Sequence, residues 1–119
     1  MEIKRLNAHF GAEVLERDLR NLSDNDLIRT LTQAVYENRV IIIRNQSLTE
    51  ENYLKFGRQW GAPIPHVLDH LRMARHPALM VVGNTEEKDQ VETVRNGTAL
   101  WHTDQSYEAI PASATMLYA

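Results

Sequence analysis

The first clear hydrophobic pattern of the chain predicts a helix in its N-terminal third. Leu27, Leu31 and Val35 recur at four-residue steps, and this spacing places apolar side chains on one face of a helix. Ser23 precedes the pattern at a position where a side-chain oxygen can cap the first turn. The polar pair Asn38-Arg39 interrupts it. We therefore predict an amphipathic helix that begins near Ser23 and ends near residue 38.

A second helix is predicted from residue 49 onwards, on the basis of its end signals. Thr49 is a favourable N-cap, and Glu50 and Glu51 stand in the first turn, where the helix dipole favours acidic side chains. Gly61 allows the chain to leave the helix, and Pro63 prevents its continuation.

The remaining hydrophobic runs are short and predict strands. The run at residues 40–43 is β-branched throughout, so we expect a strand that is buried on both faces. The other predicted strands cover residues 3–10, 12–15, 79–82 and 114–118. Residues 64–77 predict a loop with a helical turn near residues 68–73, and residues 83–90 a polar connection.

Composition narrows the class of protein. The 119 residues carry a net charge of −3, with 43% hydrophobic and 24% charged residues and no cysteine. This length suits one domain, and no basic stripe indicates nucleic-acid binding. The absence of cysteine excludes disulfides and thiolate metal sites. No signal peptide is visible and the aliphatic runs are far shorter than the ~20 residues of a membrane helix, so we expect a soluble, cytoplasmic protein.

The candidate chemistry lies in a tryptophan-histidine-threonine-aspartate sequence at residues 101–104. In an extended strand, His102 and Asp104 would project from the same face. A neutral nitrogen and an anionic oxygen are two thirds of a two-histidine-one-carboxylate iron site. The pair is a weak signal by itself, because chance places it in about one such chain in four. A surface histidine beside a turn aspartate is the alternative at this point.

Other catalytic motifs are poorly supported. His66 and His70 have the spacing of a helical zinc site, but Val67 stands where a zinc hydrolase carries its general-base glutamate. Ser106 has no adjacent glycine elbow, so a serine nucleophile is not indicated. The five glycines are scattered, and no glycine-rich phosphate loop is present.

Two blocks of sequence together resemble one enzyme family. Residues 38–64 are similar to a strand, turn and capped helix that ends in an aromatic-glycine pair, here Trp60-Gly61. Residues 101–104 are similar to a metal motif, followed by Tyr107 and by a proline-alanine step at Pro111. In this order and spacing the blocks resemble the taurine dioxygenase and dichlorophenoxyacetate dioxygenase family, over essentially the whole chain. These enzymes are iron(II)- and 2-oxoglutarate-dependent oxygenases.

The resemblance implies a fold and a site. It implies an α+β, mainly β fold: a double-stranded β-helix, or jelly roll, with packed outer helices, of which residues 1–119 would form an incomplete N-terminal part. His102 and Asp104 match the first two iron ligands. Trp101 and Leu100 beside them are suited to form an apolar wall that keeps water from the site, and plain core packing is the alternative role for both. His66 matches a substrate-facing histidine, and Thr98 stands where the family has an amide-bearing residue near the substrate. The third ligand and the arginine that binds 2-oxoglutarate would lie beyond residue 119.

The resemblance further implies an iron(II)/2-oxoglutarate-dependent dioxygenase that hydroxylates a small organic acid with molecular oxygen. Asp69 replaces a substrate-contacting tyrosine of the taurine enzyme, which argues against taurine itself. Partners would be small molecules and other copies of the chain in a homo-oligomer, without nucleic acid or membrane. The chain also ends on an apolar run without a turn, so we expect an inactive fragment of the enzyme. The alternative is a catalytically inactive binding module on the same half-fold.

Overall fold

A computed structural model describes residues 1–21, 25–82 and 100–119 of the chain. These residues form two compact units, Met1–Pro63 and Ile64–Ala119. The first unit contains the regular secondary structure and a hydrophobic core. The second contains the candidate metal ligands.

The sheet of the first unit has three strands in the order β1-β2-β3: β1 at Glu2–Arg5, β2 at Ala12–Leu15 and β3 at Ile41–Ile43. β1 and β2 are antiparallel, with Ile3 opposite Val14, whereas β2 and β3 are parallel, with Val14 opposite Ile43. Strand β2 agrees with the prediction. The first predicted strand, residues 3–10, is wrong at its end: residues 6–10 form a turn in which the Asn7 side chain accepts hydrogen bonds from two backbone N–H groups.

One helix follows strand β2 in the sequence and a second follows strand β3. Helix α1 spans Asn25–Asn38, and Arg39 ends it with a positive φ of 69°. Its predicted cap, Ser23, lies outside the described residues. Helix α2 spans Glu50–Gly57 and continues as a 3-10 turn to Trp60. Thr49 caps α2 by accepting a hydrogen bond from the backbone N–H of Asn52 at 3.2 Å, so this predicted start is confirmed.

The core lies between β2 and the two helices. Its buried side chains come from one face of each element, and Leu31 has no exposed surface. The buried members are Val14, Leu19, Leu27, Leu31 and Phe56. Strand β3 is half-buried along its length, so the prediction that it is buried on both faces is wrong. β3 stands at an edge of the three-stranded sheet, and an edge strand has no neighbour to cover its second side.

The described part of the second unit has little regular structure. A 3-10 turn at Asp69–Leu71 confirms the predicted helical turn. The predicted strand at residues 79–82 is reduced to one bridge between Arg72 and Met80, and residues 114–118 form no strand. Both runs have strand-forming side chains, but a ladder needs successive hydrogen bonds to a neighbouring strand, and neither run forms one among the described residues. The described residues thus show a three-stranded sheet with two helices, an α+β arrangement. Within them we find no helix that is long and apolar enough to cross a membrane.

Candidate metal centre

His102 and Asp104 lie where a segment without regular structure enters a turn. Residues 101–103 have no regular structure, and a turn begins at Asp104, with Gln105 at a positive φ of 53°. The prediction that the pair lies on a strand is therefore wrong. The side chains nevertheless come together, and His102 Nε2 is 3.4 Å from Asp104 Oδ1.

The His102 ring is oriented by its own backbone. Its Nδ1 lies 2.7 Å from the carbonyl oxygen of Leu100. A carbonyl oxygen can only accept, so Nδ1 carries the hydrogen and the neutral ring presents the lone pair of Nε2. In metal sites, a ligating histidine generally donates its other ring N–H to an acceptor, which sets the tautomer and the ring orientation. His102 has this arrangement, and its Nε2 points toward Asp104.

The Asp104 carboxylate is also oriented by a hydrogen bond, which it accepts on the oxygen that does not face His102. Thr115 Oγ1 donates to Asp104 Oδ2 at 3.0 Å, which leaves Oδ1 facing the histidine. The side chains of His102 and Asp104 are 50% and 53% exposed, so both can be reached from solvent.

His102 Nε2 and Asp104 Oδ1 are spaced almost as two ligands of one divalent transition metal ion would be. Two ligand atoms in neighbouring octahedral positions, each about 2.1 Å from the ion, lie about 3 Å apart. The observed 3.4 Å requires only a small adjustment. Within the described ranges, no group of three or more His, Cys, Asp or Glu side chains could hold a metal ion. The described residues therefore contain two candidate ligands, and a metal site here would need further ligands.

A second side-chain contact closes the turn after Asp104. Gln105 Oε1 accepts a hydrogen bond from the backbone N–H of Ala112 at 2.7 Å, and Glu108 N–H donates to Gln105 O at 3.0 Å. Sequence reasoning missed both Gln105 and Thr115. Their partners lie seven and eleven residues away, and no local pattern indicates contacts across that separation.

The predicted substrate residues have different outcomes. His66 is half-buried; its Nδ1 accepts from Leu68 N–H at 3.1 Å, and its carbonyl oxygen accepts from Arg72 Nε at 2.6 Å. Among the described residues, the hydrogen bonds of His66 are thus made to Leu68 and Arg72 of its own loop, and none is made to His102 or Asp104. Asp69 forms an ion pair with Arg72. The other predicted substrate residue, Thr98, lies outside the described residues.

The predicted apolar wall is absent from the described part of the second unit. Leu100 is 76% exposed and Trp101 is fully exposed. A cavity of about 510 Å³ lies instead in the first unit, lined by Ile3, Arg5, Arg29, Thr30, Gln33, Ala34, Glu37 and Asn38. It contains none of the predicted site residues. Its volume alone therefore does not make it a candidate site.

Comparison with known proteins identifies the family. The model of the family described as "Taurine catabolism dioxygenase TauD, TfdA family" matches residues 2–119. The chain therefore belongs to the TauD/TfdA family, as the resemblance of its two sequence blocks had indicated.

Individual relatives agree with this assignment. The chain is 26% identical to the alpha-ketoglutarate-dependent 2,4-dichlorophenoxyacetate dioxygenase of Cupriavidus pinatubonensis, over 96% of the chain and 43% of that protein. Its fold is similar to that of AAD-2 in complex with Mn(II) and N-oxalylglycine, with a TM-score of 0.67 and 22% identity over 94% of the chain and 34% of AAD-2. A taurine dioxygenase of Burkholderia xenovorans gives a TM-score of 0.58 and 31% identity over 64% of the chain and 27% of that protein. The chain spans less than half the length of each.

Proposed function

We propose that the chain is the N-terminal portion of an iron(II)- and 2-oxoglutarate-dependent dioxygenase and provides two of its three protein iron ligands. The observation that carries the proposal is the 3.4 Å approach of His102 Nε2 to Asp104 Oδ1. Each ligand also has its second polar atom engaged, His102 by a backbone carbonyl and Asp104 by Thr115. Oriented in this way, His102 Nε2 and Asp104 Oδ1 would be the atoms that bind the ion.

The donor types agree with iron(II). An imidazole and a carboxylate belong to the two-histidine-one-carboxylate set, which leaves coordination positions open for a co-substrate and oxygen. When bound, the iron would couple the oxidative decarboxylation of 2-oxoglutarate to the hydroxylation of a substrate. The part of this chain is to hold the ion with His102 and Asp104. Relatives support the pairing of metal and co-substrate: one is named as alpha-ketoglutarate-dependent, and another was solved with Mn(II) and N-oxalylglycine.

The rest of the site would come from the part of the full-length protein that lies beyond this chain. Leu100, Trp101 and Leu117 are largely exposed, and residues 114–118 form no strand among the described residues. Pairing of such segments with further strands would complete a jelly roll and cover these side chains. The same strands would bring the third ligand and an arginine for 2-oxoglutarate. A cytoplasmic location and a homo-oligomer are part of this proposal.

The substrate we propose is a small organic acid, and His66 would contact it. Because His66 Nδ1 accepts the Leu68 N–H, the neutral ring carries its hydrogen on Nε2 and can donate it to an anionic group. Arg72 stands close by, but Asp69 already neutralises its charge. We propose Thr98 as a second substrate contact on the basis of the family resemblance alone.

The test uses the full-length protein without oxygen. Iron(II) and 2-oxoglutarate should together produce a metal-to-ligand charge-transfer band. His102→Ala and Asp104→Ala should each abolish it, whereas Thr103→Ala, between the two ligands, should retain it. With oxygen, a screen of small organic acids should reveal one that stimulates succinate release. A band that survives both ligand substitutions would refute the assignment.

The same experiment distinguishes the enzyme from the alternative function, a catalytically inactive binding module. An inactive binding module need not keep a metal site, so it would show neither the band nor succinate release with any acid. The presence of both ligands and of hydrogen bonds that orient them favours the enzyme.

A further inference from the structure

We infer that Thr115 is a positioning residue that fixes the orientation of the Asp104 carboxylate toward the metal. The inference rests on the proposed function and concerns the same site. Thr115 lies outside the metal motif, eleven residues after Asp104. It is exposed and belongs to no strand, so its hydroxyl is not required by core packing.

The hydrogen bond decides the orientation of the carboxylate. Thr115 Oγ1 donates to Oδ2 at 3.0 Å, while Oδ1 lies 3.4 Å from His102 Nε2. A carboxylate that is half exposed can rotate about its Cβ–Cγ bond into orientations in which neither oxygen faces His102. A donor on one oxygen fixes the plane of the carboxylate and leaves the other oxygen for the cation. Thr115 thus holds one oxygen of Asp104 toward His102.

A second contact brings Thr115 to this position. Gln105 Oε1 accepts the Ala112 N–H at 2.7 Å and so returns the chain toward Asp104 three residues before Thr115. The Gln105 side chain is half-buried, and its positive φ of 53° starts the turn. Gln105 and Thr115 together join the metal-ligand turn to the segment that follows it. The loss of either contact should loosen Asp104.

Two substitutions of Thr115 separate the effect of its hydroxyl group from the effect of its side-chain volume. Thr115→Val keeps the shape and removes the donor, whereas Thr115→Ser keeps the donor. Loss of a residue that orients a metal ligand typically lowers metal affinity by about 10- to 100-fold. We expect that loss for Thr115→Val and an affinity within about threefold of the wild type for Thr115→Ser. Thr103→Val is the matched control, because it makes the same change beside the ligands.

The measurement is the affinity of the full-length protein for Mn(II), by calorimetric titration without 2-oxoglutarate. The visible spectrum of the Co(II)-substituted protein reports the ligand geometry, and should change in Thr115→Val but not in Thr115→Ser. Thermal melting checks that each variant is folded. Gln105→Leu provides a second variant, independent of position 115, and should also weaken Mn(II) binding.

The outcomes distinguish this inference from the proposed function. If Asp104→Ala lowers Mn(II) affinity while Thr115→Val and Gln105→Leu bind like the wild type, the positioning role is refuted and the metal site stands. If Thr115→Ser is as impaired as Thr115→Val, the hydroxyl is not the cause and the inference also fails. If Asp104→Ala binds Mn(II) like the wild type, both the site and the inference are overturned.

Discussion

The Gln46 side chain connects two loops of the first unit, and its removal should destabilise that unit more than its partial exposure suggests. Its Oε1 accepts from Leu19 N–H at 2.9 Å. Its Nε2 donates to Arg17 O at 2.7 Å and to Arg44 O at 2.8 Å. The segment after β2 is thereby joined to the segment after β3, at the ends of two parallel strands.

The expected cost of Gln46→Leu follows from these three contacts. Leucine preserves most of the side-chain volume, so the change mainly removes hydrogen bonds. The bonds to Leu19 N–H and Arg17 O are partly buried, and a polar group left without its partner there costs about 1–3 kcal/mol. Arg44 O is exposed and can bind water instead. We expect the free energy of unfolding to fall by about 2–4 kcal/mol.

Gln33→Leu is the matched control. Gln33 donates to Glu37 Oε1 at 2.7 Å on the exposed face of α1, and a pair at this spacing stabilises a helix by about 0.2–0.5 kcal/mol. Urea unfolding of the full-length protein measures both variants, and hydrogen exchange at the Leu19 amide tests the contact itself. The reasoning is refuted if Gln46→Leu costs no more than Gln33→Leu and the Leu19 amide keeps its protection.

Two further predictions concern the first unit. Leu31→Ala should lower the free energy of unfolding by about 2–5 kcal/mol in urea titrations, since Leu31 is fully buried, whereas Tyr36→Ala on the exposed face should change it by no more than about 0.5 kcal/mol. Equal effects would contradict the position of the core. The hydrogen bond and charge of Arg20 lower the pKa of Asp18 from 3.8 to about 2. The pair's small contribution to stability is therefore complete above pH 3.8 and lost as the pH falls through about 2. An NMR titration should give this midpoint for Asp18 in the wild type and a higher one, toward 3.8, in Arg20→Gln. The same midpoint in both would refute the pairing.

Some features of the fold were predicted from the sequence because their causes are local. Helix α2 begins after Thr49 and its final turn ends at Gly61, as expected from residues that act within one turn. Helix α1 ends at the predicted polar pair, where Arg39 adopts a positive φ. Caps and hydrophobic periodicity depend on neighbours three or four residues away, which the sequence displays directly.

The strands were predicted less well, because a strand depends on its partner. Strand β2 has a neighbour on each side and agrees with its predicted range. The apolar runs at residues 79–82 and 114–118 have suitable side chains but form no ladder among the described residues. Strand β3 is half-buried because it stands at an edge. Hydrophobicity indicates where a strand can form, and only pairing decides whether it does.

At the candidate site, too, local features were predicted from the sequence and contacts between distant residues were not. The sequence by itself indicated the two candidate ligands, His102 and Asp104, and a spacing that would place them on one side of an extended backbone. The tertiary structure decided that Nε2 and Oδ1 are the atoms that face each other, because Leu100 O and Thr115 Oγ1 occupy the other two. It also decided that Gln46 would join two loops, with partners more than 25 residues away. Such contacts arise only when folding brings distant segments together, so no pattern of neighbouring residues could have predicted them.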